Sequence, residues 1–142
     1  MKIMDELKSL YSTWPPEQQD LRRAFERLSS RAAALEGASC SLVSRPGVSH
    51  SFRTTLADPG ARPRPVFFLA DVVAAPGDPW FLSVCFYEDE ITDPDEIGNA
   101  IPQGLFDETG YCFDVDDDDG ELAGYLEARM DEAWLAARRS AG

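Results

Sequence analysis

Val66-Phe67-Phe68-Leu69-Ala70-Asp71-Val72-Val73 and Trp80-Phe81-Leu82-Ser83-Val84-Cys85-Phe86-Tyr87 decide the architecture of this chain. Both segments are rich in β-branched and aromatic residues and apolar at nearly every position. In the second, Trp80, Leu82, Val84 and Phe86 point one way, and Phe81, Cys85 and Tyr87 the other. Strands with apolar side chains on both faces belong at the centre of a sheet. Pro76-Gly77-Asp78-Pro79 joins them as a turn.

Upstream, Cys40-Ser41-Leu42-Val43 and Val48-Ser49-His50-Ser51-Phe52 alternate with period two around Arg45-Pro46-Gly47, which predicts a hairpin. The proline-rich stretch 57–65 reads as a loop. Before residue 39 the period is helical. Ile3, Met4, Leu7, Leu10 and Tyr11 predict a short helix over 2–12, interrupted by Thr13-Trp14-Pro15-Pro16. Leu21, Ala24, Phe25, Leu28, Ala32 and Leu35 predict a second helix over about 15–36, with Gly37 as its stop. Downstream, Tyr111 to Val115 is a further short strand. Leu122, Leu126, Met130, Ala133, Trp134 and Ala137 predict a last helix over about 118–139, capped by Asp118 with Glu121. The expected fold class is α+β: one domain over 1–142, an antiparallel sheet of about five strands, with two N-terminal helices and one C-terminal helix packed on it.

The charge is distributed unevenly along this order. Residues 65–128 contain seventeen carboxylates and no lysine or arginine, whereas the first 64 residues carry ten basic and seven acidic side chains. The net charge is −13. A chain so acidic repels phosphates, so a nucleic-acid partner is not expected. Arg22, Arg23, Arg27 and Arg31, with Arg45, Arg53, Arg62 and Arg64, are expected to pair with the protein's own acidic part, within one chain or across a homodimer. The preference for arginine over lysine and the abundance of alanine suit a GC-rich bacterial genome, some of which make most of their proteins acidic. No apolar run approaches the roughly 20 residues needed to span a bilayer, so no membrane partner is expected. The charged N-terminus and the odd, widely spaced Cys40, Cys85 and Cys112 fit a cytoplasmic protein with reduced cysteines acting as small hydrophobes.

The connection from Glu88 to Gly110 is the most suggestive segment for function. It is long for a compact domain, and Ile91, Ile97, Ile101, Leu105 and Phe106 would anchor it as an ordered flap, with room for one helical turn at 94–97. Glu88, Asp89, Asp93, Asp95 and Glu96 on that flap are candidate partner contacts. Their oxygens also suit a hard cation, but no known metal-loop spacing fits. The run 114–121 fails as an EF-hand too: with Gly120 at the sixth position, Val115 and Leu126 fall where Asp and Glu are required. No metal or other cofactor is therefore expected.

Catalytic constellations are absent as well. His50 is the sole histidine, and its neighbours Ser49 and Ser51 point to the opposite strand face, out of reach for a nucleophile–base pair. There is no phosphate-cradling glycine loop and no glycine-flanked serine elbow. The sequence thus points to a non-enzymatic acidic recognition module, of inhibitor, immunity or adaptor type, that binds a basic protein. The alternative is a small-molecule or cation site between the sheet and the 88–110 flap. Trp80, Phe86, Tyr87 and Phe106 would line it and His50 would supply a polar contact.

Overall fold

The computed structural model describes residues 2–142. Helix α1 spans Lys2–Thr13, and α2 spans Gln19–Ala34 after a single 3-10 turn at Pro16–Gln18. The prolines that break the helical run thus open its continuation, because a first turn has no use for their missing N–H groups. Six strands follow: β1 Ala38–Arg45, β2 Ser49–Leu56, β3 Phe68–Val73, β4 Phe81–Tyr87, β5 Asn99–Leu105 and β6 Glu108–Val115. Helix α3, Gly120–Ala141, closes the chain. The α+β expectation holds, with six strands rather than five.

All pairings are antiparallel, in the order β1-β2-β3-β4-β6-β5. The two apolar segments, β3 and β4, occupy the middle, as their two-faced patterning requires. The added strand is β5, at an edge. Its residues up to Gly104 are exposed, it contains Pro102, and its register with β6 shifts between Ile101 and Leu105. Proline and irregular pairing are features of edge strands, and they leave no apolar alternation to read. The turn at 94–97 stays non-helical: Glu96 N–H donates to the Asp93 carbonyl at 3.0 Å and closes a β-turn.

The three helices cover one face of the sheet. There Leu42, Phe52, Phe68, Val72, Leu82, Val84, Phe86 and Phe113 meet Leu21, Phe25 and Leu28 of α2 and Leu126, Met130 and Ala133 of α3 in one core. Phe25, wholly buried, makes edge-on contact with Phe52 at 6.0 Å and lies 5.8 Å from Trp14. The other face is open along β1, where Ser39, Ser41 and Val43 are exposed, and half-covered along β2. Towards β6 it carries a second, smaller cluster of Val66, Leu69, Cys85, Tyr87 and Leu105, with Cys112 packed against it.

Two expectations need correction. Asp119, not Asp118, caps α3, its side chain accepting from the N–H groups of Glu121 and Leu122. Asp118 instead meets Arg23 of α2. The cysteines of the central strands are not free small hydrophobes: Cys85 and Cys112 are directly paired across β4 and β6 and joined in a disulfide, leaving Cys40 free. Their separation of 27 residues hides this from the sequence, while the register brings their Cα atoms to 4.2 Å.

Candidate recognition surface

Folding brings the arginines of the first half onto the acids of the second. On α2, Arg23, Arg27 and Arg31 stand one helical turn apart and face Asp118, Glu127 and Asp131 at 3.3, 2.7 and 2.9 Å. These half-exposed pairs register α2 against α3 and contribute about 1 kcal/mol or less each. A tighter node ties the 57–65 loop to the end of β4. Arg62 holds Glu90 and the Val66 carbonyl, and Arg64 holds both Asp89 and Glu108. Both guanidiniums lie over the buried Tyr87 ring, at 5.8 and 4.4 Å from its centroid. Arg64 keeps Asp89 and Glu108 below the usual carboxylate range through its hydrogen bonds. The expected pairing with the acidic half thus takes place within one chain for Arg23, Arg27, Arg62 and Arg64, and Arg31 meets Asp131 just beyond it. Arg22 instead pairs with Glu26 of its own helix, and Arg45 and Arg53 form no ion pair among the described residues.

The segment after Glu90 runs back along α3 towards its first turn. Thr92 donates through its N–H and hydroxyl to Glu132 at 3.0 and 2.6 Å. Asp93 accepts from the hydroxyls of Tyr111 and Tyr125 and from the N–H groups of Gly98 and Ile97. Partial burial acts to raise the Asp93 pKa, but these four donors together outweigh it and hold the group at about 2. The same contact pushes Tyr111 up to about 12, because its proton is held by the Asp93 carboxylate. Gly98 is needed for this approach, since a Cβ there would lie 2.4 Å from Tyr111 Cε1 and 2.6 Å from Phe113 Cε2. Of the apolar residues expected to anchor the flap, Leu105 is buried and Ile91 packs against the core, whereas Ile97, Ile101 and Phe106 are exposed, so polar contacts do most of the anchoring.

These contacts divide the candidate partner residues. Asp89, itself exposed, is held by Arg64 and Asp93 by Tyr111 and Tyr125, whereas Glu88, Asp95 and Glu96 are exposed and without a basic partner among the described residues. Of the seventeen carboxylates in 65–128, Asp89, Glu90, Glu108, Asp118 and Glu127 pair with arginine. Most of the others are free of such pairing. Asp95 of the flap comes together with Asp119 and Glu121 of the α3 start around an open groove of about 450 Å³, whose remaining lining is Ile97, Leu122 and Tyr125. Exposed Asp116 and Asp117 flank the same turn. Asp119, Glu121, Leu122 and Tyr125 were not among the candidates, because only the tertiary path of the flap along α3 joins them to Asp95.

The aromatic candidates separate. Phe86 is fully buried on the helix-covered face. Phe106, at the β5–β6 turn, lies over the open face with the Arg53 guanidinium 5.4 Å from its ring centroid. Trp80 and His50 do meet, at 6.1 Å between ring centroids, but at the far end of the molecule beside α1. A pocket between sheet and flap lined by Trp80, Phe86, Tyr87, Phe106 and His50 is thus not formed. Among the described residues no three His, Cys, Asp or Glu side chains converge to hold a metal ion. No helix of the described chain is long and apolar enough to cross a membrane. Protein-family models, curated proteins and solved structures give no match to this chain.

Proposed function

We propose that this protein is a non-enzymatic recognition module that binds a basic protein segment through the groove between residues 95–97 and the first turn of α3. The observation that carries the reading is the composition of that groove: Asp95, Asp119 and Glu121 at its rim, Ile97, Leu122 and Tyr125 on its walls. A lysine or arginine side chain combines an apolar stem with a cationic head, and such a groove offers a counterpart to each. The acids around it have no internal cation to satisfy them, so they attract one from outside. The five carboxylates that pair with arginine play no part in this proposal.

The test uses tagged full-length protein in a lysate of its own cells, at about 50 mM and at about 500 mM salt, beside an Asp95→Asn/Glu121→Gln variant. The expected result is a basic protein retained at low salt, released at high salt and lost with the variant. Retention that is indifferent to salt, or equal in the variant, would refute the assignment of the groove. Asp95 and Glu121 make no side-chain contact that holds the fold, so the variant reports on binding rather than on folding.

A further inference from the structure

On the β1–β2 side of the sheet, at the strand end where α3 also begins, the molecule carries a groove that the acidic surface leaves unexplained. It lies under α1, has a volume of about 540 Å³ and is bounded by Glu6 and Leu10 of α1, Ser44 and His50 of the β1–β2 hairpin, Ala74 and Trp80. Its lining is mostly apolar and includes one charged group, the Glu6 carboxylate, and no lysine or arginine.

The aromatic wall is fixed in place from several sides. Gln18 holds the Trp80 backbone twice, its Nε2 donating to the carbonyl and its Oε1 accepting from the N–H, both at 2.9 Å. Trp14 meets the Trp80 ring edge-on at 5.1 Å and donates its own indole N–H to the Gln18 carbonyl. His50 is more than nine-tenths buried, with Nδ1 2.9 Å from Ser44 Oγ. Its Nε2 makes no hydrogen bond to the described residues, yet is not sealed from solvent. Burial lowers the His50 pKa, which keeps the imidazole neutral near pH 7. The Ser44 hydroxyl can accept from or donate to Nδ1, and an N–H brought to Nε2 selects the tautomer in which Nδ1 donates to Ser44 and Nε2 accepts.

The geometry points to a binding site for a small planar aromatic amine, its ring against Trp80, an N–H to His50 Nε2 and its ammonium near Glu6. A ring on a tryptophan face gains from stacking, and a cation gains further from the ring's negative face. An anion of the same shape would meet Glu6 with no compensating cation. The volume exceeds that of a single bicyclic ring and falls within the range of small-molecule sites. This site shares no lining residue with the acidic groove beside α3.

The probes are tryptamine, indole and indole-3-acetate, which share one ring and differ in charge, titrated calorimetrically into the full-length protein. Tryptamine is expected to bind saturably and at least tenfold more tightly than indole-3-acetate. Glu6→Gln should bring tryptamine down towards indole. Ser9→Phe, at an exposed α1 position on the groove rim, should abolish binding without touching the core. Amide-resonance shifts on tryptamine addition should fall in α1, the 44–50 hairpin and Trp80. No binding of tryptamine up to about 5 mM, equal binding of the acetate, or indifference to both substitutions would overturn the assignment.

Discussion

Arg62 and Glu90 form a two-pronged ion pair closed off from solvent, Nη1 donating to Oε2 at 2.6 Å and Nη2 to Oε1 at 2.9 Å. Their side chains are 1% and 6% exposed. Arg62 also reaches Ser140 near the end of α3, so this pair fastens a proline-rich loop, the end of β4 and the last helix together. Removing one partner of such a pair strands a buried charge. Glu90→Gln is therefore expected to destabilise by about 3–5 kcal/mol in urea melts. Replacing both partners with apolar residues of similar size should recover a large part of that loss. A double variant as unstable as the single one would show that the contacts to Ser140 and Val66, rather than the charge, carry the effect.

Asp93 gives a prediction in pH. Its carboxyl is lowered from the ordinary 3.8 to about 2, so the unfolded chain takes up the proton first as pH falls. The stabilisation from its contacts with Tyr111 and Tyr125 is fully present above about pH 4 and is lost as pH falls through about 2. Asp93→Asn should cost about 1–2 kcal/mol at neutral pH from the hydrogen bonds it weakens. The gap between variant and wild type should then narrow between pH 4 and 2. A gap that stays constant across that window would mean that the charge of Asp93 does not matter.

Much of the fold was legible in the sequence, and the reasons for the exceptions are physical. The stripe from Leu21 to Ala32 and the two-faced segments 66–73 and 80–87 bury their apolar residues, so periodicity finds them. Strand β5 buries almost nothing, and its ladder to β6 leaves no trace in side-chain chemistry. The candidate site fared worse because it needed long-range information. Period two places Phe86 on the same side as Leu82 and Val84. It does not tell that helices cover this side, or that the turn bearing Phe106 crosses the other. The sequence also showed Asp89 and Asp95 as alike, and only the position of Arg64, 25 residues before Asp89, sets them apart.

Gly98 tests whether the flap is fastened by close contact. Its missing side chain lets the backbone approach Tyr111 and Phe113, both anchored in the core. Gly98→Ala should destabilise by about 1–3 kcal/mol, the usual range for overpacking. It should also raise hydrogen exchange in 91–98 before it affects β3 and β4. Uniform exchange across the sheet would show that the flap opens only with the whole fold.

Two single substitutions contrast the core with the acidic surface. Phe25→Ala removes a wholly buried ring that touches Trp14, Tyr11 and Phe52, and should cost about 3–5 kcal/mol. Asp117→Ala alters an exposed carboxylate with no hydrogen bond or ion pair among the described residues, and should stay within about half a kcal/mol. A large effect at Asp117 would reveal a bound cation or partner that stabilises the folded protein.

The Cys85–Cys112 bond joins residues 27 apart in sequence that the β4–β6 ladder already holds side by side. Its contribution lies mainly in the unfolded chain, where the crosslink closes a loop and removes conformations. For a loop of that length the chain-entropy argument gives about 3–4 kcal/mol. The register, burial of Leu69 and Tyr87 and the pairing of β6 with both neighbours do not depend on the sulfur–sulfur bond, so the reduced protein should keep its sheet. Thiol titration in denaturant should count one reactive group, Cys40, before reduction and all three after. The reduced form should melt lower and refold without oxidant, with an unchanged far-ultraviolet spectrum. Loss of the sheet spectrum on reduction would mean instead that the crosslink, and not the apolar patterning of β3 and β4, holds the centre of the fold.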